Sequence, residues 1–205
     1  MTARPLTRFP ASFVDVYSIE TTFLIHLQRV SIIPPGESYA QPIAHRNLSH
    51  VEILTRNLFI FADKSAARLA YRGDTLRFSR GSIHLFATTR GKTSATKGYV
   101  VVWRVDARTG LLYGDESEGA SDVNDVVEPV YRYETRNSGG KANAIEIYPF
   151  APTISQTGTR ADWIVLTDDE EGYVSILEWD GGRIMEIAAL QLPDGDGASH
   201  AIWLS

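Results

Sequence analysis

The sequence predicts an all-β fold built from repeated four-stranded antiparallel units, and three observations carry that prediction. From Arg72 onward, runs of five to eight residues rich in Val, Ile, Thr, Tyr and Trp alternate with Gly, Asp, Asn and Pro, the punctuation of strands and turns. No long amphipathic helical pattern appears, and Ser65–Leu69 makes one helical turn at most. The strand-like runs also recur in a fixed order, and internal repetition of this kind marks a modular architecture.

The repeat has three recognisable elements. Phe13–Glu20 (FVDVYSIE), Tyr99–Asp106 (YVVVWRVD) and Tyr173–Asp180 (YVSILEWD) are β-rich and end on an acidic residue. Thr109-Gly110 follows the second and Gly181-Gly182 the third, both good turn formers. Ile83–Thr89 (IHLFATT) and Asp162–Thr167 (DWIVLT) precede the last two. Earlier still in each unit come Arg72–Arg77 (RGDTLR), Lys141–Glu146 (KANAIE) and Ala198–Trp203 (ASHAIW). Each of these places a polar residue, Asp74, Asn143 or His200, two positions after its start.

Three strands and a less regular fourth, repeated, are the grammar of a β-propeller blade. The spacing exceeds the ~40–45 residues of a compact blade, because loops run from Tyr113 to Glu128 and from Pro149 to Arg160. The expected organisation is the end of a preceding blade over 1–36, an irregular insertion or loop over 37–70, and two blades plus a final closing strand over 71–205. In all, about two and a half blades are expected. The stretch Glu37–Asp63, after Pro34-Pro35-Gly36, shows neither alternation nor a repeat partner. It reads as a long loop or as the product of a retained intron.

Composition narrows the chemistry. The 205 residues include no Cys, which excludes disulfides, thiol chemistry and Cys-ligated metals. The net charge of −5 argues against a nucleic-acid binder while leaving room for a local basic pocket. The most apolar early run, Phe23–Ile33, is broken by His26, Gln28 and Arg29 and falls short of the ~20 residues of a membrane span. No targeting segment is visible, so the default location is cytoplasmic. There is no phosphate-binding Gly loop, zinc-ligand spacing or Gly-x-Ser-x-Gly elbow. The acidic runs Asp168–Glu171 and Glu116–Asp125 read as solvated turns and loops, and His84 as structural or exposed.

Several separated segments resemble one family. Leu85–Arg90 (LFATTR), Lys97–Trp103 (KGYVVVW), Ser138–Ile145 (SGGKANAI), Leu166–Tyr173 (LTDDEEGY) and His200–Trp203 (HAIW) look like the fungal 3-carboxy-cis,cis-muconate cyclases. Tyr71–Asp74 (YRGD) and, more weakly, Val30–Gly36 (VSIIPPG) extend the match. That family is a seven-bladed propeller of the lactonase group, and the resemblance covers its C-terminal part. It implies a cofactor-independent cycloisomerase of aromatic (protocatechuate) catabolism acting on a small anionic tricarboxylate. It implies no metal, no nucleic acid and no membrane partner. Its suggested active-site Arg falls on Arg90. Some members have His where this chain has Lys141, so an essential general acid is not expected there. The family's upstream His, Arg and Glu candidates have no counterpart in this sequence.

The residues themselves fit a site for anions. Arginine stays charged and grips a carboxylate with two donors, so Arg90 is the expected electrostatic stabiliser. Arg72, Asp74, Lys141, Asn143 and His200 are the expected substrate-binding group, at the starts of the innermost strands. The bland alternative is that Asp74, Asn143 and His200 satisfy backbone groups at a channel mouth. Two other functional readings stand beside the cycloisomerase: a non-catalytic, inactive propeller fragment, and a related lactonase that hydrolyses a sugar lactone. Open blade faces and strand edges lead to an expectation of self-association.

Overall fold

A computed structural model describes residues 13–19, 24–31, 47–54, 57–63, 71–81, 83–91, 97–113, 127–136, 142–148, 153–154, 158, 160–168, 172–193, 197–198 and 200–204. Every regular element among them is a strand, and the sheets are antiparallel and four strands across. This is the expected all-β, partial propeller-like architecture.

The second sheet contains β5 (Tyr71–Phe78), β6 (His84–Gly91), β7 (Tyr99–Val105), β8 (Leu112–Tyr113) and β9 (Tyr131–Glu134). Its order is β5-β6-β7, with β8 and β9 dividing the outer edge of β7. The third sheet contains β10 (Ala142–Ile147), β11 (Thr153–Ile154), β12 (Arg160–Asp168), β13 (Tyr173–Trp179) and β14 (Ile184–Gln191). It runs β10-β12-β13-β14, and β11 extends the β10 edge of β12. Along the main path of each sheet, sequence order equals spatial order.

The repeated acidic residues now have a physical role. After β7, Asp106 Oδ1 accepts hydrogen bonds from the backbone N–H of Arg108 (2.8 Å) and Thr109 (2.7 Å). Gly110, at φ 71°, closes the turn. After β13, Asp180 Oδ1 does the same for Gly182 and Arg183, both at 3.0 Å, with Gly181 at φ 97°. These are Asx-type turns followed by left-handed glycines.

The first sheet departs from this order. It holds β1 (Phe13–Ile19), β2 (Leu24–Ser31), β3 (Asn47–Leu54) and β4 (Asn57–Asp63), arranged β2-β1-β4-β3. The expectation of an irregular stretch over 37–70 is therefore corrected for residues 47–54 and 57–63. They form a hairpin, and β4 pairs along β1 from Phe13↔Ala62 to Ser18↔Asn57. The physical reason is that β1 has two edges and β2 fills one of them. The hairpin supplies the other, and Phe59-Ile60-Phe61 between Asn57 and Asp63 was the readable strand signal. Edge strands β3, β5 and β10 stand in a row, β5 beside both of the others.

The second sheet is buried on both faces. Val101, Trp103, Val105, Leu85 and Ala87 pack against Val14, Val16 and Val30 of the first sheet. Phe86, Val100 and Val102 pack against Ile145, Ile164, Leu166, Leu177 and Trp179 of the third. That is why β7 reads as a continuous apolar run and not as an alternating one. By contrast β14 turns exposed from Ala188 to Gln191, as an outermost strand does. The predicted closing strand is corrected too: residues 200–204 take no strand conformation. A strand is defined by pairing, and among the described residues no partner ladder reaches them. Trp203 instead packs on Tyr148, ring centroids 4.8 Å apart.

Candidate functional site

Four of the expected site residues, Arg72, Asp74, Arg90 and Asn143, fall at one end of the second and third sheets. In the β5–β6 ladder Arg72 is the Cα partner of Arg90, flanked by Tyr71↔Gly91 and Gly73↔Thr89. Two arginines thus occupy directly opposite positions next to the β6–β7 connection. Like charges at directly opposite ladder positions are unfavourable by themselves.

Register irregularities mark the same end of both first strands. Between Gly73↔Thr89 and Leu76↔Ala87, β5 carries two residues, Asp74 and Thr75, against the single Thr88 of β6. Between Ala142↔Asp168 and Ala144↔Thr167, β10 carries Asn143 with nothing opposite. Asp74 and Asn143 therefore sit at equivalent β-bulges, features that bend a strand and re-aim its residues. The Thr167 hydroxyl accepts the Ala144 N–H at 3.2 Å, occupying a backbone donor next to the bulge. The side chains of Arg72, Asp74, Arg90 and Asn143, and the whole of Lys141, lie outside the described residues.

His200 is exposed. The described contact of its segment is Trp203 on Tyr148, which follows β10 at the end opposite Asn143. The structure does not bring His200 to Arg72 and Arg90. Asp168 corrects the expectation of a solvated acidic turn: it ends β12, pairs with Ala142 and Tyr173, and is buried. Residues 169–171 lie outside the described set.

Between the second and third sheets, Arg77 of β5 is paired with Glu146 of β10. Its Nη2 and Nε both donate to Glu146 Oε1, at 2.5 and 3.2 Å. This fixes the first strands of adjacent sheets side by side and so sets the spacing of the two bulges.

An opening lies elsewhere, at the other end of the strands. A cleft of about 520 Å³ separates the β5–β6 turn from the start of β12 and the end of β13. His84, at its wall, is buried and holds a pKa of about 4, lowered by burial and then by the charge of Arg104, its partner across the ladder. The imidazole stands edge-on to Trp179 at 5.2 Å. Burial raises the pKa of Asp162, and the backbone N–H and charge of Arg80 work against that rise. Sequence reasoning missed this cleft, since Arg80 and Asp162 are joined only by the packing of separate repeats. Among the described residues no cluster of three His, Asp or Glu side chains is arranged to hold a metal ion.

No protein-family profile matches the chain. It is similar to the carboxy-cis,cis-muconate cyclase of Neurospora crassa, 21% identical over 141 residues that cover 69% of this chain and 32% of that protein. It is also similar to muconate cycloisomerase 1 of Cutaneotrichosporon cutaneum, 29% identical over 117 residues, 57% of this chain and 26% of that protein. The matches make the chain a distant relative of both, and they span 32% and 26% of those proteins' lengths.

Proposed function

We propose that this chain contributes to a cofactor-independent cycloisomerase site that closes 3-carboxy-cis,cis-muconate to its muconolactone. The observation that carries the reading is the register that sets Arg72 opposite Arg90. The distant relation to two proteins named as a muconate cyclase and a muconate cycloisomerase supports the choice of reaction.

In the proposed reaction one carboxylate oxygen adds to a carbon of a conjugated double bond. A carbon–oxygen bond forms, and the displaced electron pair is delocalised onto the carboxylate conjugated with that double bond. A proton then adds to carbon, so the tricarboxylate becomes a dicarboxylate lactone. The barrier is electrostatic, because charge builds on a carboxylate of an already anionic molecule. Fixed guanidinium groups lower it where they meet that charge. Arg90 takes this role and Arg72 binds the substrate beside it, together with Asn143 on the neighbouring strand and Lys141, which precedes that strand in sequence. Arginine's high pKa suits it to stabilisation and not to proton donation.

Calorimetric titration of the chain with 3-carboxy-cis,cis-muconate tests the reading, with turnover followed by loss of diene absorbance. Binding that weakens at least tenfold in both Arg72→Gln and Arg90→Gln is expected. Wild-type affinity in both variants, or no binding at all, would sink the proposal.

A further inference from the structure

We infer that the cleft at the other end of the second and third sheets is a binding site for a small organic monocarboxylate with an apolar body. Its volume of about 520 Å³ lies in the range of small-molecule sites. The walls come from two sheets, with Ile83 and His84 on one side and Arg160, Ala161 and Trp179 on the other.

The charged side chains that line the cleft are Arg80, Arg160, Asp162 and Asp180. Arg80 faces Asp162, to which it gives a backbone hydrogen bond and an attractive charge. Asp180 is engaged by the backbone N–H of Gly182 and Arg183 and by Arg183 Nε at 3.4 Å. His84 is neutral near pH 7. The guanidinium of Arg160 is left over: exposed, and among the described residues in no ion pair. One unpaired cation at the mouth of a cleft complements one carboxylate, which a guanidinium binds through two parallel donors.

The rest of the ligand is set by the apolar lining. Ile83 is 54% exposed, a large aliphatic side chain standing in the opening. Ala161 and Trp179, both buried, form the apolar part of the opposite wall. An apolar body laid across Ile83 removes that surface from water. The further charges of a di- or tricarboxylate would meet Asp162 and Asp180 in the same walls, which repel them. The cleft and the Arg72–Arg90 position therefore differ in the anions they accept.

The test is calorimetric titration of the 205-residue chain with benzoate, and with benzyl alcohol as the neutral match, alongside tryptophan fluorescence. Saturable benzoate binding is expected, with benzyl alcohol at least tenfold weaker. Arg160→Gln and Ile83→Asp each weaken benzoate about tenfold, the loss of one charge-assisted contact or the gain of one repulsion. Both positions are exposed, and an unchanged denaturation midpoint checks that each variant folds. Arg90→Gln leaves benzoate binding unchanged. Absence of saturable binding, equal affinity for the alcohol, wild-type affinity in either cleft variant, or loss of binding in Arg90→Gln would each overturn the inference.

Discussion

The side-chain amide of Gln28 pairs with both main-chain groups of Leu112: Gln28 Nε2 donates to the Leu112 carbonyl at 2.7 Å, and the Leu112 N–H donates to Gln28 Oε1 at 2.8 Å. One residue of the first sheet thereby acts as an extra strand on the short edge strand of the second. Leu112 is 2% exposed, so its backbone groups have no water to turn to. Gln28→Ala is expected to cost about 1–3 kcal/mol, the penalty of leaving buried polar groups unmet. Chemical denaturation measures it, and an unchanged midpoint would show that the two sheets are held without this contact.

The hairpin of β3 and β4 gives a second expectation. It fills the edge of β1 left open by β2, and Val14 and Val16 of β1 are fully buried against the second sheet. Excising residues 37–63 strips β1 of that partner and creates a new open edge. The excised chain should lose cooperative unfolding and associate, as seen by denaturation and light scattering. If it remains monomeric with the original midpoint, the stretch is a dispensable insertion.

Legibility in the sequence followed what the repeat encodes locally. Tyr99–Asp106 and Tyr173–Asp180 became β7 and β13 with their Asp-capped turns, because apolar runs and turn residues act within a few positions. Arg72–Arg77 and, from Ala142 on, Lys141–Glu146 became first strands, yet the bulges at Asp74 and Asn143 were invisible. A bulge is a count of residues on one strand against those on its partner, and no single strand carries that count. Ala198–Trp203 has the same sequence shape, and its described residues form no strand, since the shape specifies a tendency and pairing requires a ladder. The opposition of Arg72 and Arg90 was likewise a register property, although each arginine was identifiable alone. The hairpin has no counterpart in the repeat, so only the short apolar run Phe59-Ile60-Phe61 signals it.

The second sheet should be the least tolerant part of the fold. Trp103 and Phe86 are fully buried on opposite faces of it, one toward each neighbouring sheet. Trp103→Ala and Phe86→Ala are each expected to cost about 3–5 kcal/mol through lost burial and the cavity left behind. Val101→Ala and Val102→Ala, adjacent in sequence, report on different interfaces and should be additive in the double variant. Denaturant midpoints measure this, and strong non-additivity would mean that the two cores respond as one.

His84 sets an expectation for pH. Its folded pKa of about 4 lies below the ordinary imidazole value of 6.5. Between those values the unfolded chain binds the proton and the folded chain does not, so stability falls as pH drops from about 6.5 toward 4. Asp162, raised by burial, acts in the opposite direction. The clean readout is therefore a difference between proteins. His84→Asn should remove part of the acid destabilisation seen in the wild type, measured by denaturation from pH 7 to pH 4. Parallel pH profiles would show that the imidazole carries no such penalty.

The Arg72–Arg90 register makes a prediction about stability that is separate from binding by calorimetry. Like charges at directly opposite strand positions cost a few tenths to about 1 kcal/mol. Arg90→Gln should therefore leave stability unchanged or raise it slightly at low salt, where an ordinary loss of a strand-end interaction would lower it. A polyanion should reverse the ranking. Citrate bound only by the folded chain adds about 2.7 kcal/mol when present at a hundred times its Kd, and this gain should vanish in Arg90→Gln and Arg72→Gln. Thermal unfolding in citrate, against sodium chloride of matched ionic strength, separates binding from screening. A variant destabilised by more than about 1 kcal/mol without ligand would mean that the guanidinium serves an ion pair of the fold. Its role toward a carboxylated substrate would then have to be abandoned.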